Sequence, residues 1–162
     1  MHYCKGMTSK VLDVIIGKMI IEVKSEAEMK RLGETIGNRL TGGEVFELIG
    51  DVGAGKTTFV KGLAKGLAIE DDVQSPSFTI SRVYDARDGL QLAHYDFYRL
   101  SDPGIMANEV SEAAHDPTSV TVIEWADIVE GVLPEGHFAL RFSTPSEQTR
   151  LVEVPEALGV SL

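Results

Sequence analysis

Apolar and polar positions follow two periods along this chain, one typical of helices and one typical of strands. Ser25 and Glu28 form a capping box, and apolar residues then recur at helical spacing, so a helix is predicted over residues 25–40. A second helix is predicted over 58–67, and a weakly helical stretch over 101–118. The predicted strands cover residues 19–23, 44–49, 77–85, 90–97, 120–125, 137–143 and 149–154.

The turn between two of these strands decides the kind of sheet. Asp88-Gly89 is a hairpin signal, and it joins the strands over 77–85 and 90–97 too tightly for a crossover connection. We therefore expect these two strands to be antiparallel, which excludes a purely parallel sheet.

The segment over residues 50–57 carries the strongest chemical signal. It reads Gly-Asp-Val-Gly-Ala-Gly-Lys-Thr and fits the phosphate-binding loop G-x-x-x-x-G-K-[ST]. The predicted strand over 44–49 precedes it and a predicted helix follows it, which is the context that this motif requires. That context disfavours the alternative, a glycine-rich turn with a solvated lysine.

Each part of this loop has a physical task. Its glycines allow backbone angles that are closed to other residues, so successive N–H groups can point at an anion beside the positive end of the following helix. We expect Lys56 to reach the β- and γ-phosphates of a nucleotide and Thr57 to bind Mg²⁺ through its hydroxyl. Thr58 is placed to donate a hydrogen bond to the α-phosphate.

Two carboxylates follow predicted strands, where a metal ion or a water could be held. Glu124 comes at the end of the apolar strand, as acidic groups beside Mg²⁺ do in nucleotide hydrolases, so we expect it to bind metal or to position water. Asp96 can orient Mg²⁺ or water; alternatively it forms a salt bridge to Arg99 or caps its strand. His94 is predicted to be structural.

Two further features have open interpretations. The hydroxyl-rich segment over 73–80 follows the loop helix, where many nucleotide hydrolases have a nucleotide-sensing switch, although an ordinary entry into a strand is the favoured alternative. Trp125, the only tryptophan, is either a core residue or an exposed contact.

Composition restricts the partners and the compartment. Asp and Glu number 25 against 15 Lys and Arg, giving a net charge of −10, so unaided binding to a nucleic-acid backbone is disfavoured and any RNA contact is expected from another molecule. The one cysteine, Cys4, can form no internal disulfide, which favours a reducing cytoplasm. We expect neither a signal peptide nor a membrane span.

Taken in order, these motifs resemble the TsaE family, the bacterial ATPases of tRNA threonylcarbamoyladenosine biosynthesis. The resemblance covers about residues 19–155. Besides the phosphate loop, the matching segments are Ser75-Pro76-Ser77-Phe78-Thr79, His94-Tyr95-Asp96-Phe97-Tyr98-Arg99-Leu100 and Ile123-Glu124-Trp125. The His-x-Asp-x-Tyr-Arg and Glu-Trp elements, in this order and spacing, are far more specific than the loop.

The resemblance implies an α/β fold, a P-loop NTPase-like three-layer sandwich whose mixed central sheet includes antiparallel hairpin strands. It implies a single P-loop ATPase domain over residues 19–162, after an N-terminal extension over 1–18 that we expect to be poorly ordered in part. It further implies Mg²⁺-dependent ATP hydrolysis, slow without partners, in a complex with TsaB and TsaD. In that system TsaD transfers the threonylcarbamoyl group to a tRNA adenosine beside the anticodon, and the ATPase subunit meets tRNA only indirectly.

The resemblance also implies roles for individual residues. The catalytic residues are Lys56, Asp96 and Glu124. Mg²⁺ is held by Thr57 and Glu124. The nucleotide is bound by Gly53, Ala54, Gly55, Lys56, Thr57, Thr58, Ser25 and Arg150, with Ser25 and the neighbouring Glu26 near the adenine. The switch or partner contacts are Ser77, Thr79 and Trp125.

Two other functions share the phosphate loop. A small-molecule kinase would need an arginine-bearing lid, and the arginines that follow the loop helix form no lid-like cluster in the sequence. A GTPase-type binding module would carry Asn-Lys-x-Asp, and neither Asn38 nor Asn108 precedes a lysine. Within the preferred function, the residue that positions the water is either Asp96 or Glu124.

Overall fold

The computed structural model describes residues 10–15, 17–76 and 79–160. The helices of these ranges are α1 (Glu26–Gly37), α2 (Lys56–Gly66) and α3 (Met106–His115), with short 3-10 helices at Arg87–Gly89, Ala126–Val132 and Glu156–Leu158. The strands are β1 (Lys10–Ile15), β2 (Lys18–Val23), β3 (Val45–Ile49), β4 (Ser81–Asp85), β5 (Gln91–Asp96), β6 (Ser119–Glu124), β7 (Phe138–Ser146) and β8 (Thr149–Pro155). In this part of the chain, no helix has the length and apolar character needed to cross a membrane.

The described strands form one eight-stranded sheet in the order β1-β2-β8-β7-β3-β6-β5-β4. β3 runs parallel to β6 and β7, and β5 runs parallel to β6. The remaining neighbours are antiparallel, including the hairpins β4–β5 and β7–β8. The prediction of a mixed sheet with antiparallel hairpin strands is therefore confirmed.

Helices cover both faces of this sheet, which gives the predicted three layers. Leu32 of α1 and Leu63 of α2 share one buried cluster with Val122 of β6. Val110 of α3 belongs to a second cluster with Ile123, the next residue of β6. Since consecutive strand residues point to opposite faces, α1 and α2 lie on one side of the sheet and α3 on the other.

The carboxyl ends of the parallel strands meet at one edge of the sheet. All six residues of β6 are buried, as expected for a central strand of a covered sheet. In the strand register, Glu124 lies opposite Asp96 of β5 on one side and opposite Leu48 of β3 on the other. The loop that follows β3 and the two acidic residues are therefore neighbours.

Two segments differ from the pattern-based prediction. Residues 77 and 78 of the strand predicted over 77–85 lie outside the described residues; within the described part the strand begins at Ser81, because Ile80 has a φ of +68°, which is incompatible with an extended strand. The N-terminal segment contributes β1, which the pattern did not predict and which pairs antiparallel with β2. The division into an extension over 1–18 and a domain over 19–162 stays a prediction.

Glycines bring α1 and α2 into backbone contact. A Cβ on Gly62 of α2 would lie 2.1 Å from the carbonyl oxygen of Lys30, and one on Gly33 of α1 would lie 2.2 Å from that of Phe59. The same close approach recurs one turn later in each helix, at Gly37 and Gly66. This contact fixes the N-termini of both helices beside the same edge of the sheet.

Candidate nucleotide-binding site

The phosphate loop has the backbone geometry that its sequence predicts. Gly53 and Gly55 have φ values of +82° and +104°, a region that favours glycine. Gly55 is the N-cap of α2, so the helix begins at Lys56 and directs its first N–H groups at the loop. Ala54 is buried and its N–H donates to the carbonyl oxygen of Asp51 at 3.1 Å, which closes the loop.

Lys56 lies inside this loop and is only 6 % exposed. Its Nζ donates to the carbonyl oxygen of Gly50 and lies 4.4 Å from the centre of a Trp125 ring. Burial lowers the pKa of Lys56, and the negative charges of Glu124, Asp96 and Asp51 oppose this shift without reversing it. An anion placed beside Nζ would favour the charged amine, so the loop suits a phosphate.

Glu124 is fixed by a buried histidine. His94 is 0 % exposed and Glu124 2 % exposed, and His94 Nε2 lies 3.0 Å from Glu124 Oε2, so the ring N–H can donate to the carboxylate. Both side chains point to the α1–α2 face, because His94 follows Leu92 by two residues and Glu124 follows Val122 by two. The burial of His94 and its contact with Glu124 are compatible with the predicted structural role, which stays a prediction, and its partner is a candidate functional residue.

Asp96 has partners on two different segments. Its Oδ1 accepts a hydrogen bond from the Tyr98 N–H at 3.0 Å, and its Oδ2 accepts one from the Ser75 hydroxyl at 3.1 Å. The backbone N–H of Asp96 donates to the carbonyl oxygen of Ile80. Asp96 thus connects the end of β5 to Ser75 through its side chain and to Ile80 through its backbone.

Two cavities flank the phosphate loop and share Glu26, Gly53, Gly55 and Thr58 as lining residues. The larger has a volume of about 700 Å³ and is lined also by Lys56, Thr57, Ser75, Asp96, Glu124 and Trp125. The smaller has a volume of about 340 Å³ and is lined also by Ser25, Met29, Glu147, Gln148 and Arg150. Together they form one cleft that crosses the loop, with Asp96 and Glu124 at one end and Ser25 and Arg150 at the other.

Most of the predicted site residues therefore lie together, but some do not. Thr79 lines neither cavity; it is exposed and its hydroxyl donates to the carbonyl oxygen of Ser81 at 3.2 Å. Ser77 lies outside the described residues. Arg150 lines the smaller cavity, where its Nη1 donates to carbonyl oxygens of its own hairpin, among them that of Glu147 at 3.1 Å. The roles assigned to all these residues stay predictions.

The structure adds two residues to the predicted site, Tyr98 and Arg99, and a partner for His94, which was predicted to be structural. Tyr98 and Arg99 line the larger cavity, and His94 supports Glu124. Strand parity could have found His94, since His94 and Asp96 are two residues apart and must share a face. Tyr98 and Arg99 follow the strand in a turn, for which no periodicity predicts a direction.

The residues of the larger cavity fit a nucleotide with Mg²⁺. Among the described residues no group of three or more His, Cys, Asp or Glu side chains could hold a metal by itself. Mg²⁺ commonly takes one or two protein oxygens together with phosphate oxygens, and the Thr57 hydroxyl and the Glu124 carboxylate would be those protein ligands. The buried amine of Lys56 would face the phosphates.

A phosphate loop after a central parallel strand, with acidic side chains at the ends of the neighbouring strands, defines the class of P-loop α/β proteins. The family model "Threonylcarbamoyl adenosine biosynthesis protein TsaE" matches residues 23–152. The chain belongs to the TsaE family, and the resemblance inferred from its motifs is confirmed.

Individual relatives agree with this assignment. The chain is 41 % identical over 112 residues to the tRNA threonylcarbamoyladenosine biosynthesis protein TsaE of Treponema pallidum, which covers 69 % of this chain and 82 % of that protein. It is 37 % identical over 128 residues to the TsaE protein of Borreliella burgdorferi, which covers 76 % of this chain and 90 % of that protein. The crystal structure of Bacillus subtilis YdiB superposes with a TM-score of 0.69 at 29 % identity, covering 88 % of this chain and 91 % of that one.

Proposed function

We propose that this chain is the ATP-hydrolysing subunit of a complex that forms threonylcarbamoyladenosine in tRNA. It acts with TsaB-like and TsaD-like proteins and does not itself transfer the threonylcarbamoyl group. The observation that carries this proposal is the convergence of Lys56, Thr57, Asp96 and Glu124 on one cavity beside the phosphate loop. Membership of the TsaE family supplies the tRNA-modifying context.

The geometry suggests how the chain's own groups would act. The loop N–H groups and the N-terminus of α2 bind the phosphate oxygens. Lys56 exchanges the carbonyl oxygen of Gly50 for a phosphate oxygen, so that its charge is compensated more fully than in the free protein. When bound, Mg²⁺ offsets negative charge on the β- and γ-phosphates. Asp96 or Glu124 accepts a hydrogen bond from the attacking water and orients it.

The acidic charge of the chain supports an indirect contact with tRNA. A net charge of −10 opposes binding to a phosphate backbone, so in this proposal the partner proteins hold the tRNA. We also propose that Mg²⁺ is required, that hydrolysis is slow without the partners, and that the protein works in the cytoplasm.

The decisive test is ATP hydrolysis by the purified chain, alone and with TsaB and TsaD of the same organism. The variant Lys56→Ala removes the buried amine, and Lys61→Ala is its matched control, because Lys61 is an exposed lysine of the same helix. Partner-stimulated, Mg²⁺-dependent hydrolysis that is lost in Lys56→Ala and kept in Lys61→Ala supports the proposal. Absence of both association and stimulation contradicts it, and phosphoryl transfer to a panel of small metabolites would then favour a kinase.

A further inference from the structure

The turn after β5 holds Arg99 at the rim of the larger cavity. Phe97 is buried, and its N–H donates to the carbonyl oxygen of Glu124 at 3.1 Å, which ties the turn to the end of β6. The Asp96 carboxylate accepts from the Tyr98 N–H, and the Leu100 N–H donates to the carbonyl oxygen of Phe97 at 2.9 Å. The backbone position of Arg99 is therefore fixed relative to both candidate acidic residues.

Two neighbouring aromatic rings each contact a cation: the Trp125 ring contacts Lys56, and the Tyr98 ring contacts Arg99. The Tyr98 and Trp125 ring centroids lie 4.9 Å apart. Lys56 Nζ lies 4.4 Å from the centroid of the Trp125 ring, and Arg99 Cζ lies 5.7 Å from that of the Tyr98 ring. Both distances are within the range of a cation–π contact, so the two aromatic residues hold two cations at the same cavity.

The guanidinium of Arg99 is available for a ligand. Arg99 is exposed, and among the residues that the structure describes no hydrogen bond or ion pair engages its side chain. Other arginines have structural tasks: Arg87 donates to carbonyl oxygens at the ends of α1 and α2, and Arg150 to those of its hairpin. Within the described ranges, Arg99 is the arginine that lines the cavity containing Lys56, Asp96 and Glu124.

We propose that Arg99 is a catalytic residue that stabilises, from within the same chain, the negative charge that develops during ATP hydrolysis; this inference rests on the function proposed above. Hydrolysis forms a bond between the water oxygen and the γ-phosphorus and breaks the bond from that phosphorus to the bridging oxygen, which leaves on ADP with the electron pair. The water proton passes to a carboxylate or to the phosphate. The guanidinium donates hydrogen bonds to the phosphate oxygens and transfers no proton.

This assignment gives Tyr98 a positioning role. A cation–π contact at an exposed site is weak enough for the guanidinium to leave the ring when a phosphate offers a charged, bidentate partner. Lys56 on one wall and Arg99 on the rim would then approach the transferred group from two sides.

The test compares Arg99→Ala and Arg99→Lys with Arg82→Ala, a control at an exposed arginine of β4 that lines neither cavity. With TsaB and TsaD present, we expect Arg99→Ala to lower kcat at least about 100-fold, as loss of a transition-state donor does. Arg99→Lys should recover only part of the rate, because an ammonium cannot replace the bidentate fork. Thermal unfolding should be unchanged in all three variants.

A second readout does not depend on turnover. Calorimetry should show that Arg99→Ala binds Mg²⁺·ADP as the wild type does but loses affinity for Mg²⁺·ADP with aluminium fluoride, a mimic of the transferred phosphoryl group. The inference is overturned if Arg99→Ala hydrolyses ATP like Arg82→Ala, or if both ligands lose affinity equally. A wild-type chain that hydrolyses no ATP overturns the proposed function and the inference with it, and this outcome is seen in the wild type rather than in the variants.

Discussion

Replacing Gly62 by alanine tests the contact that places both helix N-termini at the cleft. The added Cβ would lie 2.1 Å from the carbonyl oxygen of Lys30 and 2.8 Å from the Lys30 Cα. Ordinary contact begins at 3.4 Å, so the two backbones would have to separate by about 1.3 Å. A carbonyl within a helix cannot rotate away as the end of a flexible side chain can, and the strain therefore falls on the packing of α1 against α2.

The magnitude follows from two opposing effects. Overpacking of a well-packed core destabilises by roughly 1–3 kcal/mol, and a clash with backbone belongs at the upper end of that range. Alanine is favoured over glycine inside a helix by about 1 kcal/mol, which offsets part of the strain. We therefore expect Gly62→Ala to lower the free energy of unfolding by about 2 kcal/mol, equivalent to a decrease in Tm of roughly 4–8 °C for a chain of this length.

Thermal and urea unfolding measure this effect, and Gly131→Ala is the matched control. A Cβ on Gly131 would meet no atom within 4 Å, and Gly131 has no positive φ, so its substitution should change stability by less than about 0.5 kcal/mol. Since helix propensity alone would raise the stability of Gly62→Ala, an unchanged or increased Tm for that variant would refute the backbone contact. An equal decrease in Tm in Gly62→Ala and Gly131→Ala would show that the loss of stability does not arise from the contact between α1 and α2.

Further expectations follow from individual contacts. His94→Phe should destabilise the fold by about 1–3 kcal/mol, because it leaves the buried Glu124 carboxylate without its donor, whereas His94→Gln, which keeps an N–H, should lose less in urea unfolding. Arg87→Ala should cost about 1–3 kcal/mol in the same assay, since its guanidinium donates to carbonyl oxygens at the ends of α1 and α2. Hydrogen bonds from the Thr118 N–H and hydroxyl lower the pKa of Asp116 below 3.8. The stability that this interaction contributes is present above the unfolded-state pKa of Asp116 and is lost as the pH falls through its folded-state pKa. An NMR titration should show the lowered pKa of Asp116 in the folded protein. The variant Thr118→Ala should raise that pKa, because it removes the hydroxyl donor.

The phosphate loop and its flanking elements could be predicted because their determinants are local. The apolar strand, the glycines and the lysine lie within one short stretch of sequence, and each constrains the backbone of its neighbours. The antiparallel hairpin at Asp88-Gly89 was predictable for the same reason, and both residues have the positive φ values that such a turn uses. The position of Glu124 at the cleft was predictable because this residue ends an apolar strand, and strand ends of α/β sheets converge on the ligand cleft.

The remaining features depend on contacts between distant residues. β1 pairs at the sheet edge through backbone hydrogen bonds, and an Asp13 in its middle hides it from an apolar pattern. The contact of α1 with α2 joins two glycine pairs that are far apart in sequence, and each pair alone reads only as a weak helix. Arg99 reaches the cavity because a turn directs it there, and the strand period that located Asp96 ends before that turn.

Asp96 and Glu124 are held in place by different contacts, and this difference decides how a loss of activity on substituting either residue is interpreted. Glu124 extends from the end of a fully buried strand and is fixed by one side chain, His94, so Glu124→Gln changes the charge at the cavity with little effect on the backbone. Asp96 also builds the turn that carries Arg99, through its bond to the Tyr98 N–H. Asp96→Asn keeps an oxygen that can accept this bond and removes the charge, whereas an alanine removes both. Loss of activity in the asparagine variant therefore concerns the negative charge or the bond that Oδ2 accepts from the Ser75 hydroxyl, and any additional loss in the alanine variant concerns the position of the arginine.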